Sequence, residues 1–229
     1  MDLVIVGGPH SGVGKTLASE LAIRALSSRR VGAIKLTVAD GERDPHDHGA
    51  SALAVADAAG ICGRGASCGV CETVSTRIPS RLITSPRAIR KSGTDTCRLS
   101  EAGAIAVAWV IALRSGAPQS IEAALAFLRD AGAEMTLIEG TTALQWLTPK
   151  ASVMVATDPG KKWKGVALES VGSCDIVLRN HPPVPSGDLP APVEFALAEP
   201  IDCDLGNPTD PGVKAYVHRL QALVAAERS

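Results

Sequence analysis

The sequence is poor in aromatic residues, with two Phe, three Trp and one Tyr among its 229 residues. Because the bases of single-stranded nucleic acid stack on aromatic side chains, this scarcity argues against a stacking platform. The core must instead be built from Ala, Val, Leu and Ile, which suits a parallel sheet covered by helices. A formal net charge of −1 also lacks the basic excess of nucleic-acid-binding and membrane-binding surfaces. We therefore expect no nucleic-acid partner and no membrane partner.

No apolar run is long enough to span a bilayer. The longest, Ala104–Leu113, is far shorter than the roughly 20 residues that a spanning helix needs. The N-terminus enters an apolar strand pattern directly, without the basic region and cleavage site of a secretory signal. These features predict a cytoplasmic protein. In that reducing compartment, the six cysteines are expected to serve a metal or redox site rather than disulfides.

The apolar pattern predicts the fold class. Hydrophobic residues make up 45% of the chain, enough for one α/β domain with a sizeable core. We predict a single domain over residues 1–229, with a doubly wound, mostly parallel sheet, helices on both faces and a cysteine-bearing insertion over residues 41–92. The main predicted strands are Leu3–Val6, Val31–Leu36, Gly103–Leu113, Met135–Ile138, Ala151–Ala156 and Cys174–Leu178. An edge strand at Val193–Leu197 and a last helix from Pro211 complete the expectation.

A glycine-rich stretch, Gly8-Pro9-His10-Ser11-Gly12-Val13-Gly14-Lys15-Thr16, separates the first predicted strand from a helical pattern. Glycines let successive backbone N–H groups converge on one anion, and the following helix N-terminus adds partial positive charge. Strand, glycine-rich loop, Lys-Thr and helix in this order are typical of a phosphate loop. The residues expected to bind the nucleotide are Gly12, Val13, Gly14, Lys15 and Thr16.

Two residues of that stretch carry predicted chemistry. Lys15 is expected to act as a catalytic residue on the β- and γ-phosphates, and the Thr16 hydroxyl is expected to ligate Mg²⁺. The first glycine, Gly8, lies one position farther upstream than in the common phosphate loop, where Pro9 stands here. The alternative interpretation is a glycine-rich turn with an exposed lysine.

Acidic residues follow two of the predicted strands. Glu139 ends the strand at Met135–Ile138, and Asp40 begins a turn-rich segment after the second strand. Because ligands of open parallel sheets lie beyond the carboxyl ends of the strands, we expect both residues, and Lys35, near the phosphate loop. Asp40 and Glu139 are predicted as catalytic residues and Mg²⁺ ligands, with Asp40 in a switch region that senses the γ-phosphate. A solvated turn is the alternative for Asp40.

Three cysteines lie close together in the predicted insertion. Cys68 and Cys71 have the spacing that lets two thiolates bind one metal from a tight turn, and Cys62 is near enough to be a third ligand. The fourth ligand is Cys97, His46 or His48, and the site would hold Zn²⁺ or an iron–sulfur cluster. The alternative is a glycine-rich loop with incidental thiols.

Two further features have competing interpretations. Asn180 follows a late strand, where its amide is expected to read a nucleobase edge because it both donates and accepts. The alternative is a turn-forming Asn before His-Pro. A basic cluster is expected to hold an anionic substrate or to be a solvated face. Its members are Arg87, Arg90, Lys91 and Arg98.

Several blocks occur in the order seen in a known family. They are the glycine-rich stretch, Gly32–Thr37 with Asp40, Gly93–Thr96 with Glu101–Ala104, and Leu137–Gly140. In this order they resemble the molybdopterin-guanine dinucleotide biosynthesis adaptor protein B family. The long Gly-x5-Gly-Lys-Thr loop is also similar to that of dethiobiotin synthetases and cobyrinate amidating enzymes, in the class of the nitrogenase iron protein.

The resemblance implies a GTP- or ATP-binding adaptor, commonly dimeric, that helps to build or insert a metal cofactor. Its expected partners are a client metalloenzyme or cofactor-biosynthesis protein and a second copy of the chain. We therefore expect slow nucleotide hydrolysis coupled to maturation or insertion of a metal-containing cofactor. Two alternatives are an ATP-dependent ligase of the dethiobiotin synthetase type, which activates a substrate carboxylate, and a nucleotide-gated binding protein with negligible turnover.

Overall fold

The computed structural model describes residues 1–39, 73–75, 77–156, 163, 165–181 and 199–226. In this part of the chain eight strands form one sheet. The strands are β1 (Asp2–Gly7), β2 (Val31–Ala39), β3 (Ser80–Ile83), β4 (Val107–Leu113), β5 (Met135–Glu139), β6 (Ala151–Ala156), β7 (Ile176–Asn180) and β8 (Ile201–Cys203). Their order across the sheet is β3-β4-β2-β5-β1-β6-β7-β8. All neighbours are parallel except β3, which runs antiparallel to β4.

Helices cover both faces of this sheet. The named α-helices are α1 (Lys15–Ala25), α2 (Pro86–Ile89), α3 (Asp95–Glu101), α4 (Ala117–Asp130), α5 (Gly165–Val171) and α6 (Pro211–Ala225), and two short 3-10 helices lie at Arg114–Gly116 and Thr141–Gln145. Apolar residues of α1, α3 and α6 pack in one cluster on one face. Those of α4 and α5 pack on the opposite face, and the partly buried Leu144 joins both of their clusters. The protein is thus an α/β protein with a mostly parallel sheet, consistent with a doubly wound fold.

The central strands are mostly apolar because both of their faces are covered. In β1, Val4 and Val6 belong to the cluster under α1, whereas Ile5 belongs to the cluster under α4, and all three are fully buried. Successive side chains of a strand point to opposite faces, so a strand buried on both sides reads as a continuous apolar run. This alternation fixes which residues of each strand face α1.

Four of the predicted main strands lie where the sequence indicated, namely β1, β2, β5 and β6. The strand predicted over Gly103–Leu113 begins later, at Val107, because α3 runs to Glu101 and Gly103 turns the chain with a φ of 108°. The strand predicted over Cys174–Leu178 is shifted to Ile176–Asn180. There the Cys174 amide still bonds to the Val171 carbonyl at the end of α5.

The two outer strands of the sheet, β3 and β8, lie where the sequence pattern predicts secondary structure only weakly. Strand β3 and helix α2 fall within residues 41–92, the predicted insertion, and β3 pairs with β4 along its length. Strand β8 has three residues and was not predicted; the edge strand expected at Val193–Leu197 lies outside the described residues. None of the described helices is both long and apolar enough to cross a membrane.

Helix α6 begins at Pro211, as predicted, and holds α1 in place. Asp210 caps it, since its Oδ1 accepts from the amides of Gly212 at 2.8 Å and Val213 at 3.3 Å. One turn on, the fully buried Tyr216 donates its hydroxyl to the Ala18 carbonyl of α1 over 3.0 Å. The last helix therefore packs against, and bonds to, the helix that follows the glycine-rich loop.

We expect Tyr216→Phe to lower the free energy of unfolding by about 1 kcal/mol, the usual net contribution of one buried hydrogen bond. The ring and its packing remain, so the denaturant dependence should not change. Urea unfolding measures both quantities. Lys214→Ala, at an exposed position on the same helix, is the control. A Tyr216→Phe protein as stable as the control would show that the hydroxyl does not contribute.

Candidate functional site

Strand register brings two charged residues together on the α1 face of the sheet. Strand β5 lies between β1 and β2, and Glu139 is level with Lys35 on β2 and with Val6 on β1. Lys35 and Glu139 continue the alternation of Ala33 and Leu137, which are in the cluster under α1. Glu139 is the last residue of β5, and Lys35 lies level with it within β2, so both charged side chains lie near the N-terminus of α1.

A compact polar cluster results, which we call the carboxylate cluster: Thr16, Lys35, Asp95 and Glu139. The Lys35 Nζ lies 2.5 Å from Glu139 Oε1 and 2.5 Å from Asp95 Oδ2. The Thr16 Oγ1 lies 3.0 Å from Glu139 Oε1 and 3.1 Å from Asp95 Oδ1. Because a hydroxyl has one proton, Thr16 donates to one of these carboxylates at a time. The predicted nearness of Lys35, Thr16 and Glu139 is confirmed.

The cluster is partly buried and carries an excess of negative charge. The side chain of Glu139 is 1% exposed, that of Lys35 12% and that of Asp95 44%. Two carboxylates face one ammonium group. The second oxygen of Glu139, Oε2, is buried and has no hydrogen-bond partner among the described residues. Because a buried charged oxygen without a partner is costly, the cluster has both the charge and the acceptor capacity for a further cation.

The donor set suits a hard divalent cation. A hydroxyl and carboxylate oxygens are ligands that Mg²⁺ takes, typically from one or two carboxylates, with the remainder supplied by water and phosphate. Within the described residues, no group of three or more His, Cys, Asp or Glu could hold a metal ion. The carboxylate cluster is therefore an incomplete, open set of ligands rather than a closed cage.

The Lys35 charge controls the ionisation of Asp95. Partial burial raises the pKa of this carboxyl, but the nearby Lys35 ammonium and the hydrogen bonds from Lys35 and Thr16 outweigh burial. The pKa of Asp95 consequently lies below its ordinary value of 3.8. Asp95 is therefore an anion throughout the neutral range, available to a cation.

This shift predicts an acid-dependent contribution to stability. A carboxyl with a lowered pKa in the folded state stabilises the protein above its unfolded pKa, and this stabilisation is lost as the pH falls through the folded pKa. The difference in unfolding free energy between wild type and Asp95→Asn should therefore be constant above the ordinary value of 3.8 and shrink below it. Urea unfolding across that range measures it.

Asp130→Asn, which removes an exposed charge from α4, controls for the loss of a surface carboxylate. If the difference in unfolding free energy between wild type and Asp95→Asn keeps its full size at the lowest pH at which the protein folds, the pKa of Asp95 is not lowered in the folded state.

The glycine-rich loop, residues 8–16, follows β1 directly and leads into α1. Gly12 and Gly14 have φ values of 82° and 106°, in the left-handed region that favours glycine. At its start, the Gly8 amide donates to Thr141 Oγ1 over 2.8 Å, and that hydroxyl donates back to the Gly8 carbonyl over 2.8 Å. Lys15 Nζ donates to the His10 carbonyl across the loop over 2.5 Å. The loop thus curls back on its own lysine.

Asn180 fastens this loop to the far end of the chain. Its Nδ2 donates to the Val13 carbonyl over 3.0 Å, and its Oδ1 accepts from the Leu205 amide over 3.1 Å. Asn180 is the last residue of β7 rather than the first residue after it. An amide has two N–H groups and two lone pairs, so one of each remains after these bonds. Base recognition by Asn180 stays a prediction.

The same contact explains why position 14 holds glycine. A Cβ on Gly14 would lie 2.7 Å from Asn180 Nδ2 and 3.1 Å from Leu205 Cδ1. Gly103 has nearly the same φ, 108°, but a Cβ there would meet no atom of the described residues within 4 Å. An alanine at position 103 would therefore suffer backbone strain alone, whereas an alanine at position 14 would also clash with its neighbours.

We expect Gly103→Ala to cost about 1 kcal/mol of unfolding free energy from backbone strain alone. Gly14→Ala should cost about 1–3 kcal/mol more, because the added methyl group also displaces Asn180. Chemical denaturation of both variants provides the comparison. If both variants lose the same unfolding free energy, Asn180 moves aside for the added methyl group without destabilising the protein.

A second ion pair joins the helices that carry Thr16 and Asp95. On α1, Glu20 lies one turn after Thr16, and its Oε1 is 2.5 Å from Arg98 Nε on α3. The Arg98 side chain, predicted as part of an anion site, is thus engaged by a carboxylate. The other members of that basic cluster are exposed on or just after α2: Arg87, Arg90 and Lys91. Their substrate role stays a prediction.

Most of the predicted metal-site cysteines lie outside the described residues, as does Asp40. They are Cys62, Cys68 and Cys71. Cys97, offered as a fourth ligand, is buried on α3, and its Sγ donates to Glu101 Oε1 over 3.3 Å. This hydrogen bond, together with desolvation, raises the pKa of the Cys97 thiol. Ligation of Zn²⁺ or an iron–sulfur cluster by these four cysteines stays a prediction.

Asp95 is the member of the site that the sequence did not single out. It is the first residue of α3, directly after Thr94, whose Oγ1 accepts from the Cys97 amide over 3.3 Å. Thr followed by Asp is a helix-start signal. Had the helix been predicted, its N-terminus would have been placed before β4, close to the ends of the neighbouring strands.

No protein-family model matches the chain, and a search of curated proteins finds no similar sequence. The function must therefore be argued from the geometry of the site and the pattern of its residues.

Proposed function

We propose that this protein binds a nucleoside triphosphate, GTP or ATP, together with Mg²⁺, and hydrolyses it slowly. One observation carries the proposal. A loop with two left-handed glycines leads from the end of β1 into α1, and the first turn of α1 places the Thr16 hydroxyl beside two carboxylates. A phosphate-binding loop and a divalent cation site need to adjoin in this way, because a cation held there would neutralise charge on the bound phosphates.

Each group in the loop has a role in this proposal. The backbone amides of Gly12, Val13 and Gly14, and the N-terminus of α1, hold phosphate oxygens. Lys15 turns from the His10 carbonyl to the β- and γ-phosphates. In doing so it exchanges a neutral acceptor for a charged one, and hydrogen bonds to charged groups are the stronger kind.

The carboxylate cluster supplies the ligands for Mg²⁺. Thr16 and Glu139 would hold the ion, and Asp95 would add a second carboxylate beside Thr16. Asp40 contributes the switch carboxylate in this proposal. When bound, Mg²⁺ supplies neutralisation of the charge on the phosphate oxygens. The chain itself positions the reacting groups and keeps Glu139 away from bulk water.

The proposed biological role follows the resemblance to the molybdopterin-guanine dinucleotide biosynthesis adaptor protein B family. Nucleotide binding and hydrolysis would drive the maturation or insertion of a metal-containing cofactor in a client metalloenzyme, with the protein acting as a homodimer. The cysteines at 62, 68 and 71 would carry or sense the metal. Steady hydrolysis without an added acid supports this role, whereas turnover that requires a carboxylic acid and consumes ATP stoichiometrically supports the ligase alternative.

We expect Lys15→Ala to weaken binding of GTP and ATP by roughly 10- to 100-fold or more, the effect of losing a charged hydrogen bond to phosphate. Isothermal titration calorimetry in Mg²⁺ measures the affinity. The fold should survive, which circular dichroism checks, because the lost Lys15 bond in the structure goes to a neighbouring loop carbonyl.

Lys214→Ala removes an exposed lysine from α6 and is the matched control. A folded Lys15→Ala protein that binds both nucleotides as tightly as wild type would overturn the proposed function.

A further inference from the structure

We propose that Lys35 is an internal counter-cation, which holds the carboxylate cluster in place of a divalent cation and weakens binding of that cation until a triphosphate is present. This inference rests on the proposed function, because it assumes that the cluster is a divalent cation site. It assigns a regulatory role to a residue that the proposed phosphate loop does not include.

The position of Lys35 supports this role. Its Nζ contacts Glu139 Oε1 and Asp95 Oδ2, both at 2.5 Å, and Glu139 Oε1 is also within 3.0 Å of the Thr16 hydroxyl. The ammonium thus shares an oxygen with the residue that would ligate the metal. Lys35 and Glu139 are directly opposite each other in the parallel pairing of β2 with β5. The backbone of the sheet therefore keeps the two side chains close together. With 12% of its side chain exposed, Lys35 is largely shielded from water.

The charges of the cluster make the two cations competitors. The two carboxylates carry two negative charges, of which Lys35 balances one. A divalent cation on the same oxygens would be repelled by the ammonium, and the repulsion is strong because water is largely excluded there. Glu139 Oε2, which has no hydrogen-bond partner within the described part of the chain, nevertheless gives the cluster an acceptor that Lys35 does not use. The cluster can therefore take a metal, but at a reduced affinity.

A bound triphosphate would remove this competition. Its negative charges would attract both cations at once and offer Lys35 a new partner. Metal and nucleotide would then each strengthen binding of the other, because a coupling free energy between two ligands is reciprocal. The protein would collect the divalent cation together with the nucleotide rather than beforehand.

A purely structural role for Lys35 makes a different prediction. If the ammonium only neutralises the buried Glu139, replacing it with a neutral residue lowers stability and leaves metal affinity unchanged or weaker. If it competes with the metal, the same replacement raises metal affinity. Direct titration with Mn²⁺ alone, in the absence of nucleotide, distinguishes the two roles.

We expect Lys35→Met and Lys35→Gln to bind Mn²⁺ about tenfold more tightly than wild type, or better, since one repelling charge is gone. Electron paramagnetic resonance of unbound Mn²⁺ measures the affinity. Lys35→Gln keeps an N–H donor for the buried Glu139. Lys35→Arg keeps the charge and should bind Mn²⁺ as weakly as wild type. Lys214→Met is the control for loss of a positive charge elsewhere.

Adding Glu139→Gln to Lys35→Met should abolish the gain, which locates it in this cluster. Mn²⁺ should also raise the melting temperature of Lys35→Met more than that of wild type, because the ion replaces the missing charge. This second measurement tests the counter-cation role even if the variant is unstable without metal. Neutral variants whose Mn²⁺ affinity and melting temperature respond as those of wild type do would overturn the inference.

Nucleotide binding by the wild-type protein tests the proposed function separately. Neutral variants that gain Mn²⁺ affinity support the counter-cation role even if neither GTP nor ATP binds, and the proposed function alone then fails. Intact nucleotide binding without a gain in Mn²⁺ affinity overturns the counter-cation role alone.

Discussion

The site is arranged around the buried carboxylate of Glu139, which needs polar partners. Its side chain is 1% exposed, and a buried carboxylate without ion-pair or hydrogen-bond partners is costly. Lys35 and Thr16 meet that need, each from a different element. Removing one partner of a buried ion pair typically costs about 3–5 kcal/mol, so loss of Lys35 or Glu139 would disturb the pairing of β2 with β5 as well as the site. The site and the centre of the sheet are therefore stabilised by the same contacts.

Helices α1 and α3 are held together twice, once in the site and once below it. Thr16 reaches Asp95 at the top of the two helices, and Glu20 reaches Arg98 one turn farther along both. Residues three or four apart share a helix face, so the two contacts lie in one row. The second pair thus joins α3 to α1 one turn from Asp95. A site built on two cross-braced helices and two strands is more exact than one built on loops.

Much of the fold could be predicted because local signals coincide with the structure. The β1–loop–α1 junction shows a strand run, glycines and a helical period in immediate succession, and Glu139 is the last of the five buried residues of β5. What sequence could not give is the pairing between elements. Nothing local links Lys35 to Asp95, which are 60 positions apart, or Asn180 to Val13, which are 167 apart.

Burial on both faces also hides information. A strand covered on one side alternates between apolar and polar residues, so its sequence shows which residues share a face. In β2, Ala33 and Ile34 are both fully buried, and the face of Lys35 cannot be read from its neighbours. Short elements fail for a different reason. Strand β8 has only three residues, so its backbone pairing with β7 defines it and no periodicity can develop.

The Asn180 amide bridge has a consequence for how the loop matures. The carbonyl of Val13, near the start of the chain, is bonded through one side chain to the amide of Leu205, after β8. During synthesis on the ribosome, β1 and α1 emerge long before either partner exists. The loop can reach its final, fastened form only after translation has passed Leu205. Nascent chains that stop earlier would contain every residue of the glycine-rich loop but would lack the complete Asn180 bridge that holds it.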